Sequence, residues 1–274
     1  MTTAWLSQHL DDPNLVVLDC TVNMNPGGEN GLQLVSGRDD HDAGHIPGAG
    51  FADLLGDLSD RESPLWVAMP APEQFCSAMG ALGVGDDSQV VLYDGNRTMW
   101  AARVWWMLRW VGFDRAAILD GGLKVWTAEG RSLSTEPSTR PAKQLTPALR
   151  PELIADRDQV FAAIVDGAVD DGTVCLIDTL DADSYRAQHI PGASNLDAVD
   201  LLDESGRYRP HDELVAMIEG DRDARTITYC GGGIAASSNA FIMTRLGFTN
   251  VAVYAASLQE WAADPGNPLA VYEP

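Results

Sequence analysis

Cysteine is scarce in this chain. Its 274 residues hold four, Cys20, Cys76, Cys175 and Cys230, with no CxxC pair and no histidine spaced to complete a zinc site. That excludes a disulfide framework and a zinc module, and each thiol has to be explained singly. Positive charge is scarce too: 18 Lys and Arg stand against 40 Asp and Glu, a net charge of −22. Nucleic acid and anionic membrane surfaces are poor partners for such a field. A small anion must be drawn in by a local positive potential, because the overall field opposes it and is screened beyond about 8 Å at physiological salt. Long apolar runs are missing as well. The longest, Val104 to Val111, contains Arg109, so no membrane span is expected. The first residues lack the basic and apolar regions of a secretion signal. The expectation is a cytoplasmic protein with reduced thiols. Its 45% apolar and 21% charged residues suit a folded chain long enough for two domains.

What is present reads as alternating strands and helices. Leu15 to Cys20 forms a buried strand ending in an aspartate, and residues 42 to 49 form a turn around a Pro-Gly pair. Pro72 to Leu82 reads as a helix, Gln89 to Asp94 as a strand, and Met99 to Val111 as a tryptophan-rich helix closed by Gly112. Ala116 to Leu119 follows as a strand, and a helix containing Trp126 comes next. Such alternation predicts an α/β fold, with a mostly parallel sheet covered on both faces by helices.

The programme then repeats. Cys175 to Asp178 is again a strand ending in aspartate, and Gln188 to Ala193 restates His45 to Ala49 almost letter for letter. Tyr229-Cys230 answers Tyr93-Asp94, Gly247-Phe248 answers Gly112-Phe113, and Trp261 answers Trp126, in nearly constant register. Two tandem copies are therefore expected. One spans residues 1–134 and carries Asp94 at the decisive loop, a proline-rich connector spans 135–152, and a catalytic copy with Cys230 spans 153–274.

Cys230 stands where a strand, Thr226 to Tyr229, hands over to a helix marked by Ile234, Phe241, Ile242 and Leu246. A free cysteine is ordinarily a core residue. Here the following loop, Gly231-Gly232-Gly233, is too poor in side chains to bury it. Backbone N–H groups beside a helix N-terminus attract an anion, so the loop reads as a cradle for a reactive sulfur. Asp94 in the first copy cannot act as a thiol nucleophile.

Strand-Cys-loop-helix, the internal duplication, His-Ile-Pro-Gly-Ala in both halves, Arg103-Val-Trp-Trp-Met, Thr135-Glu-Pro-Ser and Glu260-Trp261 together resemble the rhodanese family of two-domain sulfurtransferases over nearly the whole chain. The resemblance implies transfer of a sulfane sulfur from a small anionic donor, thiosulfate or 3-mercaptopyruvate, through a Cys230 persulfide to a thiol, cyanide or sulfite acceptor. A thioredoxin-like reductant is among the implied partners, and no cofactor or metal is called for. On this reading Gly231, Gly232, Gly233, Ile234 and Ala235 contribute backbone N–H groups, Arg186 is the nearby cation for an anionic donor, and His45 is a substrate contact. The rival reading is a non-enzymatic persulfide carrier or sulfur-sensing module acting through a protein partner. Several positions depart from the family pattern. Gly231 and Gly232 replace the Arg-Lys pair of thiosulfate-using members, Gly232 also replaces the serine of mercaptopyruvate-using ones, and Leu180 and Ser184 replace arginines. Tyr254-Ala-Ala-Ser-Leu258 replaces Tyr-Asp-Gly-Ser-Trp.

Other candidates are set aside. A Cys-x5-Arg phosphatase loop fails at Ala236, where a guanidinium is required. His41 and His45 with Asp39, Asp40 and Asp42 have metal-ligand spacing, but His41 has no second-copy counterpart, and His45 and His189 read better as turn residues tying loop backbone together. Cys20, Cys76 and Cys175 are expected in the core. Trp100, Trp105, Trp106 and Trp110 exceed one helical stripe, so some are expected to face away from their own sheet, towards the other domain.

Overall fold

The computed structural model describes residues 1–27 and 32–272, and the chain divides into two compact units. The first unit comprises Met1–Ser63, Met69–Leu149 and Glu204–Arg207; the second comprises Pro64–Ala68, Arg150–Asp203 and Tyr208 onward.

The first unit contains α1 (Thr3–His9), β1 (Leu15–Asp19), β2 (Val22–Pro26), β3 (Leu32–Ser36), α2 (Arg38–Ala43), β4 (Gly50–Phe51), α3 (Pro72–Ala81), β5 (Gln89–Tyr93), α4 (Met99–Trp110), β6 (Ala116–Ile118) and α5 (Gly122–Ala128). Its sheet runs β4-β1-β5-β6 with every pairing parallel, and β2 and β3 form a separate antiparallel pair. Each residue of β1 is buried, as a Leu-Val-Val-Leu run covered on two faces must be. In α4, ten consecutive residues from Met99 to Leu108 are buried. A helix apolar on every side but for Arg103 is enclosed all round. Trp100, Trp105 and Trp106 are within it, and Trp110 is half-buried.

The second unit contains β7 (Ile154–Ala155), α6 (Arg157–Val165), β8 (Val174–Asp178), α7 (Ala182–Ala187), β9 (Ser194–Asn195), α8 (His211–Met217), β10 (Arg225–Tyr229), α9 (Ile234–Arg245), β11 (Val251–Tyr254) and α10 (Ser257–Trp261). Its parallel sheet runs β7-β11-β10-β8-β9. Read from the other edge this is the order of the first sheet with β7 added. The duplication extends to single contacts. Tyr93 and Tyr229 each accept, at the hydroxyl, the backbone N–H of the Ile-Pro-Gly turn, from Ile46 at 3.3 Å and Ile190 at 2.9 Å. His45 exchanges both backbone hydrogen bonds with Ser134, and His189 does the same with Ala270. Trp126 and Trp261 are buried in the two cores, each indole N–H donating to a backbone carbonyl, of Ser132 and Pro268.

Three local readings differ from expectation. The turn expected from residue 42 begins instead as the end of α2. The β2–β3 pair was not foreseen, because Val-Asn-Met-Asn-Pro lacks the apolar alternation of a core strand. Cys175 is half-buried, not core: it is the second residue of β8, whose first two positions lie at the open end of the strand. Cys20 and Cys76 are buried.

Candidate active site

Cys230 ends β10 and is 3% exposed. Its Sγ accepts the N–H of Gly233 at 3.0 Å. The backbone N–H groups of Gly231, Gly232, Ile234 and Ala235 have no acceptor among the described residues. They belong to the loop and the first turn of the twelve-residue α9, where a helix leaves its amides without intrahelical partners. The five positions expected to form a cradle are thus gathered at one helix start, one amide on sulfur and four uncommitted.

Gly233 is there for steric reasons. Its φ is +81°, and a Cβ would stand 2.4 Å from the carbonyl oxygen of Ala255. The loop lies against the chain after β11, which holds it at several points. The Cys230 N–H donates to Ser257 Oγ at 3.1 Å, and the Ser257 hydroxyl donates to Tyr254 O at 2.7 Å. The carbonyls of Cys230 and Gly231 accept the N–H groups of Leu258 and Gln259, each at 3.0 Å. Ser257 is fully buried with φ +54°, a backbone state that ordinary side chains rarely adopt. From the α9 side, Ser237 Oγ donates to Gly233 O at 2.7 Å, and Thr228 Oγ1 donates to Ala236 O at 3.0 Å. Below the loop, burial holds the Tyr229 hydroxyl well above its ordinary pKa, with Asp178 adding to the effect. Burial likewise raises the carboxyl of Asp178, against the opposing backbone hydrogen bond from Leu180.

Sequence reasoning missed Ser257 and Gln259. The only signal was that Ser257 survives in a Tyr-x-x-Ser segment whose neighbours have changed. Arg186 makes no hydrogen bond to the Cys230 loop among the described residues. Arg186 is exposed and pairs with Asp183 at 3.0 Å. Both ring nitrogens of His45 face backbone carbonyls, His41 O at 2.7 Å and Glu136 O at 3.0 Å, and the ring stacks on that of His41. His189 similarly contacts Tyr185 O at 2.9 Å. His41 Nδ1 meets Asp19 Oδ2 at 3.3 Å, and no group of three or more His, Cys, Asp or Glu suited to a metal occurs among the described residues. Ala236, where a phosphatase loop needs arginine, is fully buried.

The corresponding loop of the first unit is differently occupied. Asp94 follows β5 and is 1% exposed. Its Oδ1 accepts the N–H groups of Asn96 at 2.8 Å and Thr98 at 3.0 Å, and its Oδ2 that of Ala101 at 2.9 Å. Burial raises this carboxyl to about 7 against those three hydrogen bonds, with Asp19 adding to the rise.

Comparison with known proteins agrees with this architecture. The rhodanese-like domain model matches residues 2–129 and 161–264. The chain is 32% identical to the 3-mercaptopyruvate sulfurtransferase of Escherichia coli K12, across 97% of this chain and 95% of that protein. It is 29% identical to the sulfur carrier protein TtuD of Thermus thermophilus, across 98% and 95%. It superposes on the crystal structure of SseA, a 3-mercaptopyruvate sulfotransferase from Escherichia coli, with a TM-score of 0.82 at 32% identity, covering 94% of this chain and 97% of that one. The chain belongs to the rhodanese family, as a two-domain member of the sulfurtransferase type. No helix among the described residues is long and apolar enough to cross a membrane.

Proposed function

We propose that this protein moves a sulfane sulfur through a persulfide on Cys230, taking it from 3-mercaptopyruvate in preference to thiosulfate, and that the first unit with Asp94 is catalytically degenerate. The observation that carries the reading is Cys230 Sγ on the N–H of Gly233 at the start of α9, amid four uncommitted amides. In the first half-reaction the Cys230 thiolate attacks the sulfur of the donor and the C–S bond breaks. Carbon leaves as the pyruvate enolate and takes up a proton, giving pyruvate and Cys230–S–SH. In the second, the acceptor attacks the outer sulfur and Cys230 leaves as thiolate. No oxidant is needed, and the amides can hold negative charge on sulfur without offering a competing nucleophile.

Preference for 3-mercaptopyruvate is supported by the loop's lack of cations. A monoanion needs less positive charge than doubly charged thiosulfate, and Gly231 and Gly232 supply none. The setting proposed is a reducing cytoplasm, with a thiol, cyanide, sulfite or a thioredoxin-like protein as acceptor. The test is steady-state sulfur transfer to cyanide from each donor. Higher kcat/KM with 3-mercaptopyruvate supports the reading, and higher kcat/KM with thiosulfate contradicts the donor assignment. A carrier role is favoured by the same neutral loop and by the likeness to TtuD. It predicts negligible turnover with small donors but sulfur loading from a persulfidated protein.

A further inference from the structure

A loop whose side chains are three hydrogens cannot choose among sulfur acceptors, so discrimination must come from what borders it. Gln259 is the border residue. Its backbone N–H donates to Gly231 O at 3.0 Å, and a Cβ on Gly232 would stand 3.1 Å from its Nε2. Its side-chain amide then makes two hydrogen bonds to a single distant residue: Oε1 accepts the N–H of Trp66 at 2.8 Å, and Nε2 donates to Trp66 O at 3.1 Å. One amide thus satisfies both backbone groups of Trp66, as a neighbouring strand would. The short segment Pro64–Ala68 is thereby part of the second unit. Its backbone is not relaxed. Val67, β-branched and 8% exposed, has φ +44°, a conformation that persists only where the surroundings over-determine it. The Trp66 side chain leaves 41% of the residue exposed, whereas Trp100, Trp106, Trp126 and Trp261 are fully buried.

We propose that Trp66 is a specificity-determining contact for the acceptor of the second half-reaction, and that Gln259 is the positioning residue that holds it beside the Cys230 loop. This rests on the persulfide reading above. The acceptor class is a small thiol with a flat or apolar body, which lies on the indole while its sulfur reaches the persulfide. The acceptor thiolate, RS−, attacks the outer sulfur of Cys230–S–SH. The old S–S bond breaks, a new one forms in R–S–SH, and the electron pair returns to the Cys230 thiolate. Cyanide and sulfite have no body to lay on the indole.

The test uses the full chain, with 3-mercaptopyruvate as donor and benzyl mercaptan or cyanide as acceptor, in wild type, Trp66→Ala, Trp66→Phe and Gln259→Ala. Trp66→Ala is expected to raise KM for benzyl mercaptan roughly tenfold with kcat little changed, and to leave KM for cyanide alone. Trp66→Phe should restore most of the thiol affinity, and Gln259→Ala should reproduce the Trp66→Ala split. Unchanged thiol KM in Trp66→Ala, or equal rises for thiol and cyanide, would overturn the proposal. Should Gln259→Ala fail to fold, the exposed Trp66 pair still decides it. The rate of persulfide formation, read by mass in the absence of acceptor, should be the same in wild type, Trp66→Ala and Trp66→Phe. A wild type that gains no sulfur would instead overturn the persulfide reading.

Discussion

The two strand-to-helix loops of this chain are built alike and filled differently. Each follows a central parallel strand, β5 or β10, and leads into a twelve-residue helix, α4 or α9, through a residue with left-handed backbone, Thr98 or Gly233. In the first loop three amides close on the carboxyl group of Asp94. In the second, one amide meets the thiol of Cys230 and the rest are left without acceptors among the described residues. The same cradle is therefore either filled by its own carboxyl group or left open to receive an anion. On the proposed reading, whether a duplicated domain keeps chemistry is decided less by its fold than by which side chain stands at the end of the middle strand.

The comparison can be broken most severely at the sulfur. Cys230→Ser is expected to lower sulfur transfer by at least about a thousandfold while leaving the thermal midpoint close to wild type, as a continuous thiocyanate assay and a melting curve would show. Second in size is Gly233→Ala. The added Cβ would meet Ala255 O at 2.4 Å in a backbone conformation strained for alanine, so the loop must move. A loss of roughly 2–4 kcal/mol in urea unfolding and about a hundredfold in kcat/KM is expected.

Asp94→Asn tests the self-filled loop by pH. Asp94 keeps its proton in the folded state up to about pH 7, whereas the unfolded chain releases it near the ordinary 3.8. Between those values the folded state binds more protons. The stabilisation from the neutral carboxyl is therefore complete below about pH 4 and lost as pH rises through about 7, a change on the order of 4 kcal/mol. Asparagine cannot titrate, so unfolding free energy measured across this window should lose that slope. An unchanged slope would mean that Asp94 is ionised throughout. Ser257→Ala removes the acceptor of the buried Cys230 N–H and should cost about 1–3 kcal/mol, with a smaller loss of turnover than Gly233→Ala. The smallest effect is predicted for Gly231→Ala. Nothing lies within 4 Å of the Cβ it would add, so stability should change by no more than about 0.5 kcal/mol.

Much of this was legible in the sequence because the information is local. Leu15-Val-Val-Leu and Thr226-Ile-Thr-Tyr are buried runs wherever they occur, and β1 and β10 lie where those runs lie. The helices starting at Pro72, Met99 and Ile234 begin where the pattern places them. What escaped depends on contacts distant along the chain. Ser257 reads as one more turn serine until Cys230, 27 residues earlier, donates to it. Gln259 gains its meaning from Trp66, 193 residues away. The β2–β3 pair uses Asn and Pro positions that carry no core signal, and α6 and α8 are short helices that bury only Val160 and Leu214, too weak a pattern for periodicity to separate from loop.

The most direct measurement of the central claim is the intact mass of reduced wild type and Cys230→Ser after separate exposure to 3-mercaptopyruvate and thiosulfate, without acceptor. The account predicts a gain of one sulfur, about 32 Da, in the wild type alone, faster with 3-mercaptopyruvate and reversed by reductant. The same gain in the Cys230→Ser protein, or none in the wild type with either donor, would contradict it.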